Sequence, residues 1–372
     1  MPRELVAIAP RTPVLRSYED EPLGPRQIRI RTEFASPKHG TELVGYRNDP
    51  AASRPYDPAL GAVMPRPATT AGAVFPRRLG NMAVGVVTGL GSEASRFKVG
   101  DRVFGHFPIR ETQTTEETNA DPLPAGLGPG AAVCLDPAVM ALPIRDAPIK
   151  LGDEVAVFGL GAIGLMAVQL ARLAGAARVI AVDPLPNRRQ LARGYGADLA
   201  LDPAAAGGDV GLAIRRHTGR GVASPAVPPR RIIGGYLEEA SQASQLGVDV
   251  AVETSGSIPA LHQAIRATRF GGTVAVVSFY GGGAPGLFLG DEFHVNRPRL
   301  VSVRAQSLPP PDAPGWTLER LVELALAWLT SGKLQTAGMI TPIVPFTDSA
   351  AAYREIDEHP ERSIKLGISF TD

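Results

Sequence analysis

Among the 372 residues there is a single cysteine, Cys134. That excludes an internal disulfide and any metal cluster built from several thiolates, and a lone Cys is expected to behave as a small buried apolar residue. Lysine is almost as scarce: Lys38, Lys98, Lys150, Lys333 and Lys365 are all there are, and Arg supplies the rest of the 38 basic side chains. Against 37 acidic residues the formal net charge is +1, so no global field draws the chain to nucleic acid or to an anionic membrane. No apolar run reaches the ~18 residues a membrane-spanning helix needs. The opening MPRELVAIAP lacks the apolar core of a secretion signal. The expectation is a cytoplasmic protein with neither a membrane nor a nucleic acid as partner.

Residues 1–135 read as mostly β, with alternating segments such as Gln27–Thr32 and Met82–Thr88 between Gly/Pro turns. Two stretches rich in Pro and small residues, Asp49–Pro76 and Phe107–Pro129, read as long loops. Beyond Asp136 the pattern changes. Apolar runs at Glu154–Phe158, Arg178–Val182, Val248–Glu253 and Thr273–Ser278 alternate with helical patterns at Gly161–Ala174, Asn187–Tyr195 and Ile258–Arg269. That alternation predicts an α/β fold with a parallel sheet and crossover helices. An amphipathic helix is expected over Thr317–Thr330 and a last strand over Ser363–Phe370. Residues 222–247, with Pro225, Pro228 and Pro229 and a short helical pattern at Tyr236–Gln245, interrupt the rhythm and read as a surface insertion.

Val155-Ala-Val-Phe-Gly159-Leu-Gly161-Ala162-Ile163-Gly164 is an apolar strand running into three spaced glycines and then a helix. Glycines so spaced permit a tight turn, close approach of backbone to a pyrophosphate, and close helix–strand packing, while the helix N-terminus offers free N–H groups to phosphate. The next strand ends in Asp183, nineteen residues after Gly164. A carboxylate there accepts hydrogen bonds from both ribose hydroxyls and repels a 2′-phosphate, which predicts NAD rather than NADP. Arg188 follows, placed to stack on adenine.

These motifs, with Gly40-Thr41-Glu42, Gly80 and Gly85 before Val87, Phe97-Lys98-Val99-Gly100-Asp101-Arg102-Val103, Leu135-Asp136-Pro137 and Phe270-Gly271-Gly272-Thr273-Val274, resemble the medium-chain dehydrogenase/reductase (zinc alcohol dehydrogenase-like) superfamily along nearly the whole chain. Ser36-Pro37, Ala138, Asp146–Lys150, Phe293-His294 and Arg297 are most similar to the subgroup that contains bacteriochlorophyllide a hydroxyethyl dehydrogenase. The resemblance implies a GroES-like β-rich catalytic domain, here residues 1–135 and 306–372, and a Rossmann doubly wound parallel-sheet domain over 136–305. It implies a homodimer or homotetramer acting on a small-molecule alcohol or ketone. It also implies cofactor contacts from Thr254, from Ser278 and Phe279 beside the nicotinamide carboxamide, and from Lys365 on the pyrophosphate.

The sequence departs from the family where zinc members hold their metal. Their Cys-Gly-Thr-Asp is His39-Gly40-Thr41-Glu42 here, and their Gly-His-Glu is Gly80-Asn81-Met82. Asn and Met are poor zinc donors. Asp136, at the third position, also suits the start of a helix, Asp capping and Pro137 opening it. No metal is therefore expected. Without that Lewis acid another group must handle the hydroxyl proton. The candidates are His39, Thr41 as relay, Lys38 as a donor polarising the oxygen, and His106. The leading expectation is an NAD-dependent oxidoreductase interconverting a secondary alcohol and a ketone. The alternatives are a zinc-free enoyl or quinone reductase, or a non-catalytic NAD-binding accessory protein.

Overall fold

The structure, a computed structural model, describes residues 1–49, 55–65, 74–218 and 246–370. The insertion expected at 222–247 therefore lies outside the described residues except for Leu246 and Gly247. The chain divides into two compact units, Met1–Asp136 with Leu326–Asp372, and Pro137–Ala325. No helix among the described residues is long and apolar enough to cross a membrane.

In the first unit, strands β1 (Arg3–Ala9) and β2 (Thr12–Ser17) form a small antiparallel sheet. The larger sheet is built around β3 (Gln27–Ser36), where alternate residues from Ile28 to Phe34 turn inward, the period-2 signature of a half-buried strand. After β3 comes helix α1 (His39–Tyr46). Strand β4 (Met82–Leu90) pairs with β3 along one edge and with β5 (Arg102–Gly105) along its other. The opposite edge of β3 is shared. Its first half takes β6 (Thr112–Glu116), which lies within the stretch the composition marks as loop. Proline and small residues on either side hide a short Thr-rich strand whose Gln113 is buried. The second half of that edge takes the last strand of the chain. The core joins Leu5, Ile28, Ile30, Tyr46, Val87, Ile109, Tyr353 and Ile368.

Helix α2 (Leu135–Ala141) leads to the second unit. There β7 (Glu154–Phe158), α3 (Ala162–Leu173), β8 (Arg178–Val182), α4 (Pro186–Gly194), β9 (Leu199–Leu201), α5 (Val210–His217), β10 (Val248–Glu253), α6 (Ile258–Ala267), β11 (Thr268–Val276) and β12 (Arg299–Ser302) follow in turn. The six strands lie in the order β9-β8-β7-β10-β11-β12, all parallel. This is the doubly wound arrangement, whose strand order reverses between β7 and β10. Two elements lack a sequence signal of useful length: the three-residue β9, and α5, which opens on Asp209 accepting the Leu212 N–H at 2.9 Å. The helix expected to reach Arg269 stops at Ala267, because Thr268 turns extended and starts β11.

Helix α7 (Leu318–Thr330) contains the second junction, at Ala325/Leu326, whereas the family resemblance put it at 306. Residues 306–325 stay with the second unit. Arg145 pairs with Asp312 at 2.7 Å and stacks on Trp316, which also receives Arg320. In the first unit, β13 (Ile340–Pro345), α8 (Ser349–Glu358) and β14 (Lys365–Ser369) complete the chain, β14 pairing with both β13 and β3.

Candidate functional site

Chemistry-bearing residues gather in two places, one in each unit. In the nucleotide unit, β7 is buried from Val155 to Phe158 and delivers Gly159 at φ +85°, a conformation only glycine adopts without strain. A Cβ at Gly159 would stand 2.7 Å from Ser255, and one at Gly164 would meet the Gly159 carbonyl oxygen at 1.8 Å. A Cβ at Gly161 would meet nothing within 4 Å. Two glycines are thus demanded by packing, and the third leaves open space at the start of the helix. Gly161 caps α3 without a side chain, so the N–H groups of Ala162, Ile163 and Gly164 have neither an intrahelical partner nor a competing cap. The turn fits the pyrophosphate of a dinucleotide.

Asp183, at the end of β8, is 3% exposed. Its Oδ2 accepts the Leu160 N–H at 2.7 Å and its Oδ1 the Leu185 N–H at 2.9 Å. Each carboxylate oxygen keeps a second lone pair for a ribose hydroxyl. Arg188 Nη1 lies 3.8 Å from Oδ2. Thr254, expected to touch the cofactor, gives its hydroxyl to the carbonyls of Phe158 and Gly159 at 3.0 and 2.6 Å and so braces the turn. Ser278 is half-buried and Phe279 exposed, just past β11. Sequence reasoning missed the group beneath them. Glu253, 0% exposed, accepts from Ser255 and from the hydroxyl of Tyr280.

The first unit gathers charge around α1. Lys38 Nζ meets Asp136 Oδ1 at 2.9 Å. Asp136 lies inside the first turn of α2 rather than capping it, its carboxylate turned to the lysine. Glu42 accepts the backbone N–H of Lys38 with one oxygen, and with the other the Gly80 N–H at 2.8 Å and the Tyr353 hydroxyl at 3.2 Å. Packing around that carboxyl raises its pKa, and the Tyr353 phenol is pushed well up by burial and by Glu42. His39 Nε2 accepts the Leu366 N–H at 3.0 Å, which places the neutral ring's proton on Nδ1. As a base toward substrate, His39 would have to break that bond. Thr41 and His106 are exposed.

Lys365, expected on the pyrophosphate, is 3% exposed and directed into its own unit, Nζ donating to the Pro37 carbonyl at 3.0 Å. Burial lowers its pKa, opposed by Cys134, Asp136 and Glu42. Cys134 is buried as expected, and desolvation pushes its thiol up to about 12.

The three positions where zinc relatives carry ligands do not assemble a metal site. His39 spends Nε2 on Leu366, Asp136 is paired with Lys38, and Asn81 and Met82 offer no zinc donor. Among the described residues no three His, Cys, Asp or Glu side chains are grouped to hold a metal ion. These residues do not fit a catalytic zinc.

Comparison with known proteins bears on this arrangement. The chain is 39% identical to D-guloside 3-dehydrogenase of Escherichia coli (strain K12) over 376 aligned positions, covering 99% of this chain and all of that protein. The chain belongs to the medium-chain dehydrogenase/reductase superfamily, alcohol dehydrogenase type. Residues 162–322 match the zinc-binding dehydrogenase family. The fold is shared with 2R,3R-butanediol dehydrogenase from Bacillus subtilis, at TM-score 0.72 and 20% identity over the full length of both chains. It is shared as well with a zinc-binding dehydrogenase from Sinorhizobium meliloti 1021 bound to NADP, at TM-score 0.70 and 21% identity over 99% of each. The expected GroES-like and Rossmann architecture is therefore present, and the enzyme class is that of alcohol dehydrogenases.

Proposed function

We propose that this dehydrogenase uses NAD to oxidise a secondary ring hydroxyl of a glycoside to the ketone, and runs the reverse reduction, without a catalytic metal. The substrate class is suggested by the relative that acts on a D-guloside. The preference for NAD is suggested by Asp183, whose carboxylate would accept both ribose hydroxyls and repel a 2′-phosphate. When bound, the nicotinamide supplies the hydride acceptor and donor.

The observation that carries the reading is the Lys38–Asp136 pair at 2.9 Å, in a cluster whose would-be metal donors are already engaged. Lys38 is the only member of that pair with appreciable exposure. In the reduction direction, hydride arrives at the carbonyl carbon while the Lys38 ammonium gives a proton to the oxygen. That leaves an alcohol and a neutral amine, which water reprotonates. Oxidation runs the same transfers backwards. Asp136 orients the nitrogen and balances its charge. His39 serves as a strut under Leu366 rather than as the base, and Thr41 is left as an exposed hydroxyl able to relay.

The test is turnover with NAD on a panel of methyl glycosides of both gluco and gulo configuration, followed by NADH absorbance, with elemental analysis of the same sample. Turnover with far less than one zinc per chain, insensitive to EDTA, is the expected result. Stoichiometric zinc whose removal abolishes turnover would overturn the metal-free reading. NAD binding without turnover on any alcohol or ketone would favour an accessory protein instead.

A further inference from the structure

Glu253 ends β10, one strand from the phosphate turn, and its carboxylate is wholly buried. A carboxylate out of water is costly unless each lone pair is met by a donor. Here the donors converge from two directions. Oε1 accepts the Ser255 N–H at 2.7 Å and the Ser255 hydroxyl; Oε2 accepts the hydroxyl of Tyr280, with the Gly256 N–H at 3.4 Å. Burial, and then Glu253 itself, pushes the Tyr280 phenol far up, so it stays a donor.

The turn held this way adjoins both neighbours. Ser255 lies directly against Gly159, leaving no space for a Cβ there, and a Cβ added at Gly256, at φ +71°, would stand 3.4 Å from the Phe279 carbonyl oxygen. One carboxylate thus fastens the phosphate turn after β7, the turn after β10 and the segment after β11 into a single piece.

The order of the strands says which part of a dinucleotide that piece would face. The pyrophosphate belongs over the turn after β7, where the strand order reverses, and the two halves of the molecule extend to either side. Asp183, just past β8, takes the adenosine side. The other half then falls on the ends of β10 and β11, at residues 254–256 and 278–280.

We propose that Glu253, through Tyr280 and Ser255, is a positioning residue that sets the wall against which the nicotinamide half of the cofactor rests. It rests on the reading that the second unit binds NAD. It goes beyond that reading in assigning a role to three residues that no cofactor motif includes. A Gln in place of Glu253 turns one acceptor into an NH2 donor facing other donors. A Phe in place of Tyr280 keeps the ring and removes one donor.

The test titrates the full-length protein with NADH, NADPH and ADP-ribose, a probe with the adenosine and pyrophosphate but no nicotinamide. In Tyr280→Phe and Glu253→Gln, NADH affinity should fall by about tenfold, the value of a hydrogen bond to a charged group. ADP-ribose should stay within about twofold. If Glu253→Gln fails to fold, Tyr280→Phe alone carries the test. Equal losses for NADH and ADP-ribose would mean that the carboxylate only steadies the phosphate turn, and no loss for either would mean that it is structural padding; both overturn the inference. A wild-type protein that binds none of the three defeats the NAD reading itself, and the inference with it.

Discussion

Asp136 in the first unit is paired directly with an ammonium group, whereas the buried carboxylates of the second unit are held mainly by amides and hydroxyls. In the nucleotide unit, Asp183 and Glu253 are met by backbone N–H groups and by hydroxyls. In the other, Asp136 is met by the ammonium of Lys38, and Glu42 by amide, phenol and the field of Lys365. Amides and hydroxyls keep their charge and place throughout a reaction, which suits a surface that must hold one ligand in one pose. Ammonium groups can give up and regain a proton, which suits the place where the charge on a substrate oxygen changes. On the proposed reading, the contrast separates holding from chemistry.

Each variant below attacks one side of that contrast. Gly164→Val should do the most damage. Its Cβ would fall 1.8 Å from the Gly159 oxygen, a clash with backbone that cannot rotate away. NADH binding should weaken by about 100-fold or more, matching an overpacking cost near ~3 kcal/mol, as read by fluorescence titration. Affinity within a few-fold of wild type would show that the turn is not the phosphate cradle.

Lys38→Met addresses the other side. Turnover should fall by about 100-fold or more with NADH affinity unchanged, since general acid–base catalysis contributes that order. His39→Ala should lower turnover only a few-fold and cost about 1 kcal/mol of stability through the orphaned Leu366 N–H. If His39→Ala is the worse variant for kcat, the roles assigned to the two are reversed.

Asp183→Ser is the milder test of holding. Wild type should favour NADH over NADPH by about tenfold, ~1.4 kcal/mol. The Ser variant should narrow that gap by releasing Arg188 for a 2′-phosphate. Equal wild-type affinities would remove the argument from charge.

The smallest effect concerns pH. The folded-state pKa of Glu42 lies above its ordinary 4.5, so between those two values the folded chain binds more protons than the unfolded one. Stability from this group should therefore decline as pH rises through that window and level off beyond the folded pKa. Glu42→Gln should flatten the decline in urea midpoints measured across it. An unchanged slope would place the titration elsewhere.

The nucleotide half was largely legible because its demands are local. Turn, helix start and acidic strand end fall within a few dozen adjacent residues, and Gly159, Gly161, Gly164 and Asp183 stand in one short segment. What escaped was carried by long separations. Lys38 and Asp136 are 98 residues apart, and Asp136 next to Pro137 looks locally like a helix cap. Glu253 and Tyr280 are 27 apart and meet only because β10 and β11 end side by side. Lys365, expected on the pyrophosphate, stands instead in a strand buried from Lys365 to Ile368, and its alternation with neighbours gives no local sign of that burial. Strand β6 was concealed by the composition of its flanks, and its pairing with β3 is decided across the sheet.

Asp183 carries a consequence for how this protein can change. Its carboxylate clasps the chain's own turn through Leu160 and Leu185. On the proposed reading, the residue that selects the cofactor is also a fastener of the site, and exchanging it to welcome a different coenzyme would loosen the seat in the same stroke. A lineage, or an engineer, moving toward NADP must first replace those two acceptors from elsewhere.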